Sequence, residues 1–415
     1  MKTVIIISLF VLFAASILAQ DYSVSVTTVS VWVRATDKKN QPVSLNASDF
    51  QVFEDGKSMP ISCFEEVRIK ATEAQSTQEI QDQTQTAPGE AADVAPQKRK
   101  LILAIDLYNT SSAEYDGVKD ELKGFVGKLD PSAWNIMVAA LLGGQSTIVV
   151  PFTGNVEEIY GELEKLRANE NRDRETRDRK REITDLLKRA DSKRAYAEAY
   201  LRAAAYAEDE KIQSLMTLKS LAKLDKYMGT ISAEEHVVIV FVSGGLNSQP
   251  GRQYTQIVDR AYNSSGFATD KDFIDTDFMG RREELNFDFP REVQRNIGML
   301  NRRNVTVYCV NTRGSKNPGM DDLEESSYDF AVRDPSILAD YQETLDGIAY
   351  ETGGLSFKSS NNYEKGFGMI LNDTVSQYIL CYTTGRKSPK EKYHEIKVKV
   401  AKGGINLRHR KGYWD

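Results

Sequence analysis

Asp106 is the residue best placed to do chemistry. The apolar run Leu101-Ile-Leu-Ala-Ile105 ends on it, and Tyr108, Asn109, Thr110, Ser111 and Ser112 follow before a helical pattern begins. In an open α/β sheet, ligands bind outside the carboxyl ends of the strands, where a carboxylate can meet a cation or a reacting group. Ser243 closes a second apolar run, 236–242, and opens Ser243-Gly-Gly245. The series Asp270-x-Asp272-x-x-Asp275-x-Asp277 offers hard oxygens for Ca²⁺ but lacks the glycine and terminal glutamate of an EF-hand loop, so it reads as a solvated acidic stretch. His236, His394 and His409 are scattered and read as structural. The chain carries no Gly-x-Ser-x-Gly, His-Glu-x-x-His or Walker sequence.

The elements that would hold Asp106 follow from periodicity. Strand-length apolar runs at 101–105, 134–142, 147–152, 236–242 and 305–310 alternate with helical patterns at 115–129, 156–166, 291–302, 335–352 and 363–375. Such alternation predicts an α/β fold with a doubly wound, mostly parallel sheet over 99–376. A charged stretch at 167–210 reads as a helical insertion, its mixed signs held by (i, i+4) pairs. Both chain ends read as β. Residues 21–70 contain an alternating run at 23–35 and a hairpin turn at Asp55-Gly56; residues 377–415 contain Ile396, Val398 and Val400 in alternation. The simplest closure pairs the two ends into one discontinuous β-sandwich with the α/β unit inserted. Residues 71–98, rich in Gln, Thr, Ala and Glu, read as a flexible linker.

At 415 residues and a net charge of −6, the chain has room for two or three domains and gives no electrostatic reason to expect nucleic acid. Residues 1–20 (Lys2, the apolar run 4–18, then Ala19-Gln20) read as a signal peptide, with an uncleaved anchor as the alternative. What remains is too polar for a membrane span of roughly 20 apolar residues, so the expected location is periplasmic or secreted. The cysteines are Cys63, Cys309 and Cys381. The latter two lie in apolar strand patterns and read as buried thiols, while one bridge with a thiol left over is open in an oxidising compartment.

Several spaced motifs resemble acidobacterial VWFA-related proteins, exported proteins with a von Willebrand factor A-like domain. They are Leu45-Asn-Ala-Ser-Asp-Phe50-Gln-Val-Phe-Glu-Asp-Gly56, Leu345-Asp-Gly-Ile-Ala-Tyr-Glu-Thr-Gly-Gly354, Ser376-Gln-Tyr-Ile-Leu380 and Arg410-Lys-Gly-Tyr413. The resemblance implies a metal-ion-dependent adhesion site with an Asp-x-Ser-x-Ser motif, here Asp106-x-Tyr108-x-Thr110. Asp106 and Thr110 would be its ligands for Mg²⁺ or Mn²⁺. Tyr108 departs from the motif, Ser243-Gly244-Gly245 replaces the later aspartate, and two donors fall short of an octahedral site.

These readings predict no cofactor and no catalytic residue. The expected function is that of an exported, non-enzymatic protein-binding or scaffold protein with a degenerate metal site. Its partner, a protein, would meet the upper face: the 106–112 loop with Tyr108 and Asn109, the 243–247 loop with Ser243 and Asn247, and Tyr254, Phe273 and Phe278 beyond. One alternative is cation-dependent adhesion through an intact divalent site. A second is a haloacid-dehalogenase-like phosphatase with Asp106 as nucleophile, although the acid/base aspartate it needs two residues on is Tyr108.

Overall fold

Valines at every second position make β1 (Ser25–Thr36) a half-buried strand, with Val29, Val31 and Val33 turned inward. A computed structural model describes residues 25–68, 98–229, 231–232, 235–265, 289–313, 335–357, 363–386 and 392–414. Strands β2 (Phe50–Glu54) and β3 (Lys57–Met59) form the expected hairpin, with φ of 49° at Asp55 and 79° at Gly56. Two positive φ angles in succession are what a tight hairpin turn requires. Only Pro60 separates β3 from β4 (Ile61–Arg68), which belongs to a different sheet.

The central unit follows. Its elements are β5 (Arg99–Asp106), α1 (Ser112–Gly127), β6 (Trp134–Leu141), β7 (Ser146–Thr153), α2 (Val156–Lys165), α3 (Arg172–Lys188), α4 (Lys193–Ala222), β8 (His236–Ser243), α5 (Arg252–Asn263), α6 (Phe289–Leu300), β9 (Asn304–Asn311), α7 (Pro335–Thr352), β10 (Ser356–Phe357) and α8 (Tyr363–Val375). The sheet runs β10-β9-β8-β5-β6-β7, parallel except for the antiparallel edge strand β7. Strand β5 sends its side chains to two cores. Leu101, Leu103 and Ile105 pack with α1, α2 and α8; Ile102 and Ala104 face the layer of α4, α6 and α7. Both faces are covered, which is why β5, β8 and β9 are nearly continuous apolar runs.

The chain then returns through β11 (Ser376–Arg386), β12 (Tyr393–Val400), β13 (Asn406–Arg408) and β14 (Gly412–Trp414). Two antiparallel sheets result, β13-β1-β11-β4 and β14-β12-β2-β3, each mixing strands from both chain ends. They share one core: Val31, Val33, Tyr378, Leu380 and Tyr382 from the first meet Phe50, Val52, Ile396 and Val398 from the second. The central unit is thus threaded between the halves of an antiparallel double sheet.

Two expectations change. The insertion does not stop at 210, because α4 is a single helix of 30 residues whose last turns bury Leu218 and Leu221 in the main core. Cys381 is not a thiol but is bonded to Cys63, while Cys309 is free and buried. Direct cross-strand placement makes that bond feasible, since β4 and β11 pair with Cys63 opposite Cys381. The signal peptide 1–20, the linker apart from Lys98, the acidic series from Asp270, and Phe273 and Phe278 lie outside the described residues.

Candidate functional site

The order β8-β5-β6 puts a topological switch point between β5 and β8, where the chain leaves β5 toward one side and later returns on the other. Crevices in open α/β sheets open at such points. Asp106 ends β5 there and is 0% exposed. Its Oδ1 accepts from the backbone N–H of Tyr108 (3.1 Å) and Asn109 (3.0 Å). Its Oδ2 accepts from Asn109 Nδ2 (3.0 Å) and Ser243 Oγ (2.7 Å). Burial pushes the Asp106 carboxyl up from its ordinary range, while the bonds from Asn109 and Ser243 and the nearby Arg172 pull it back. Four donors saturate the carboxylate, so Asp106 locks its own loop to the end of β8.

Thr110 completes that lock: its Oγ1 accepts from Gly244 N at 3.1 Å. Ser111 then caps α1, receiving Glu114 N at 3.3 Å while Glu114 Oε2 accepts Ser111 N at 2.8 Å. This Ser-x-x-Glu capping box spends one orphan donor and one carboxylate oxygen together. Gly244 is required by close approach, because a Cβ there would lie 2.3 Å from Asn109 O and 2.6 Å from Arg172 Nη1.

Arg172, the first residue of α3, is the group that sequence reasoning missed. Its Nη1 lies 3.9 Å from Glu114 Oε2 and has no hydrogen-bond partner. Its charge is felt at Asp106, and burial together with the neighbouring Arg313 lowers its own affinity for a proton. Arg313 donates from Nε to Gly244 O (2.8 Å) and lies over the Tyr341 ring at 3.8 Å. The entry to α3 is tied to the same loop, since Asn169 N donates to Leu107 O (3.1 Å) and Thr110 O (3.2 Å). The Arg172 guanidinium therefore faces Glu114, and its positive charge acts on Asp106.

The expected metal ligands do not fit a divalent ion. Mg²⁺ and Mn²⁺ need several free oxygen ligands in near-octahedral array. Here both Asp106 oxygens are taken, Thr110 Oγ1 is engaged with Gly244, and a positive charge is already present. Among the described residues, no three His, Cys, Asp or Glu side chains converge on one point.

The side chains expected to face a partner separate into two groups. Asn109, Ser243, Asn247 and Tyr254 are buried rather than exposed, because α3 and α4 pack over the crevice. Asn247 Nδ2 donates to Glu210 Oε2 (3.0 Å), which also accepts Gly251 N (2.8 Å); Tyr254 is 1% exposed in a cluster with Tyr200, Ala203 and Tyr341. Glu210, from α4, thus organises the loop after β8, a role its place in a charged run concealed. Among the described members of the set, Tyr108 is the half-buried one, with its ring packed against Gly143 in the β6–β7 turn. A polar cavity of about 180 Å³ remains between Tyr108, Asn169, Arg172, Arg179, Gln213 and Tyr341.

No family model matches the chain, and no curated protein does. Among solved structures, the chain is similar to the conserved hypothetical protein BatB from Bacteroides thetaiotaomicron. The identity is 10%, the TM-score 0.30, and the match covers 66% of this chain and 98% of that one.

Proposed function

We propose that this chain is an exported, non-enzymatic protein-binding or scaffold protein built on a von Willebrand factor A-like unit. In it, a side-chain cation, Arg172, has replaced the bound metal. One observation carries the reading: the saturated Asp106 carboxylate beside the Arg172 guanidinium. A metal ion or a phosphoryl group arriving there would have to displace four hydrogen bonds and a fixed charge. The Cys63–Cys381 bond supports export, since such bonds persist in oxidising compartments. Recognition then falls to the exposed rim beside the crevice. Tyr108 lies on Gly143, Met216 lies against Gly144, and the exposed Leu142 and Ile212 are their neighbours along the turn and along α4.

Thermal melts of the mature chain in EDTA, Mg²⁺, Mn²⁺ and Ca²⁺ test this. A cation that bound the folded state would raise Tm by mass action, and we expect all four curves to agree within about 1 °C. Stabilisation by Mg²⁺ that disappears in Asp106→Ala would establish the cation-dependent adhesion reading instead. Magnesium-dependent hydrolysis of a generic phosphate ester, lost in Asp106→Asn, would sink the non-enzymatic reading.

A further inference from the structure

The bond between Cys63 and Cys381 joins residues 318 apart in sequence, yet it spans two adjacent strands at directly opposite positions, with Cα atoms 4.8 Å apart. That separation matches a non-hydrogen-bonded antiparallel pair, whose side chains stand close together on one face. The face is the outer one: Cys63 is exposed and Cys381 half-buried, while the alternate β11 residues Leu380 and Tyr382 fill the core. Strand β4 ends its sheet, and among the described residues it pairs only with β11. None of its eight residues is fully buried, although Ile61 and Phe64 pack against the shared core and Phe64 lies on Tyr378. The ladder is irregular next to the bond, where Cys381 pairs with Cys63 but Tyr382 with Ile61, leaving Ser62 over. Pro60 is the one residue between β3 and β4.

We propose that Cys63–Cys381 is a redox latch, a solvent-accessible bond that a small or protein dithiol opens in the folded protein, releasing edge strand β4 from β11. A thiolate of the dithiol attacks Sγ of the exposed residue Cys63. It forms a mixed disulfide and expels the Cys381 thiolate, which takes up a proton. The second thiol of the reductant attacks its own sulfur in that mixed disulfide and frees Cys63. Two electrons pass to the cysteine pair, and the dithiol leaves as its cyclic disulfide. The opened edge of β11 then presents unpaired backbone groups, the kind of edge to which another strand can add.

The test uses the oxidised mature chain and dithiothreitol without denaturant, followed by maleimide mass labelling and amide exchange. Two labels, on Cys63 and Cys381, are expected while buried Cys309 stays unmodified. Exchange should quicken at least tenfold in peptides 61–68 and 376–386 and stay unchanged in β5 and β8. The Cys63→Ser/Cys381→Ser protein should reproduce that pattern without reductant; should it fail to fold, reduction of the native chain still decides. A bond that yields only in denaturant, reduction with no change in exchange, or loss of protection throughout the molecule would each overturn the latch.

Discussion

The buried Asp106 carboxyl meets four donors, three of them supplied by its own turn and the fourth by the end of β8. Backbone N–H groups two and three residues on reach one oxygen; Asn109 and Ser243 reach the other. Replacing Asp106 with Asn keeps the shape but turns an amide NH₂ toward groups that are themselves donors. The loss expected is about 1–3 kcal/mol, the usual penalty for a buried polar group facing the wrong partner. Urea unfolding of Asp106→Asn at pH 7 measures it, and unchanged stability would show that the carboxylate is not the lock. At this scale the sequence was partly legible. The strand ending on Asp106 and the helix start at Ser111-x-x-Glu114 are local patterns. Arg172 was not, since one arginine in Arg172-Asp-Arg-Glu-Thr-Arg carries no local mark of facing inward.

Between elements, the junction of the central unit with the double sheet rests on Asp373 near the end of α8. Arg34 from β1 pairs with it (Nε to Oδ1, 3.2 Å), Arg408 from β13 donates to Oδ2 at 3.1 Å, and the Tyr308 hydroxyl of β9 donates to the same oxygen. The Arg34 guanidinium also donates to the carbonyl oxygens of Asn372, Asp373 and Ser376, capping the end of that helix. Asp373→Ala leaves two guanidiniums facing one another in a largely buried site. A loss of about 3–5 kcal/mol is expected, with aggregation on heating. Chemical denaturation checks it; a loss under about 1 kcal/mol would mean that the helix end, not the ion pair, holds the junction. Helix limits read from periodicity agree closely here: 363–375 is α8 itself, and 335–352 is α7. The end of the insertion at 210 was misplaced because burial of Leu218 and Leu221 by the sheet continues α4 past the point where charge density falls.

For the whole molecule, two buried histidines set a pH limit. His236 stacks on Trp32 at 4.3 Å where β1 meets β8, and burial with Arg99 and Arg410 nearby drives its proton affinity well below the ordinary range. His409 accepts Val398 N on Nε2 at 3.2 Å, so it carries its proton on Nδ1, toward Arg410 O at 2.7 Å. Burial lowers its pKa to about 4. A histidine depressed on folding binds more protons when unfolded. Its stability is therefore complete above the unfolded value of about 6.5 and is lost as pH falls toward the folded one. At pH 5 the cost from His409 is about 2 kcal/mol, and His236 adds to it in the same direction. The raised carboxyl of Asp106 works in the opposite sense. Urea midpoints at pH 7 and pH 5 should differ accordingly, and His409→Gln should flatten the change; equal midpoints for the native chain would refute this assignment.

The sequence by itself determined the order and kind of the elements: strands and helices in alternation, β segments at both ends, and an aspartate closing the first central strand. Periodicity, turn residues and capping patterns act over a few residues, so they can be read without a fold. Only the tertiary structure decided what the upper crevice contains. Arg172, Glu210 and Ser243 come together from segments far apart in the chain, and Asn109, Asn247 and Tyr254, which their place in the upper-face loops had assigned to a partner surface, are buried. The same holds for Cys63 and Cys381, whose pairing depends on the register of β4 against β11. Register and burial arise from contacts across the whole chain, which no local window records.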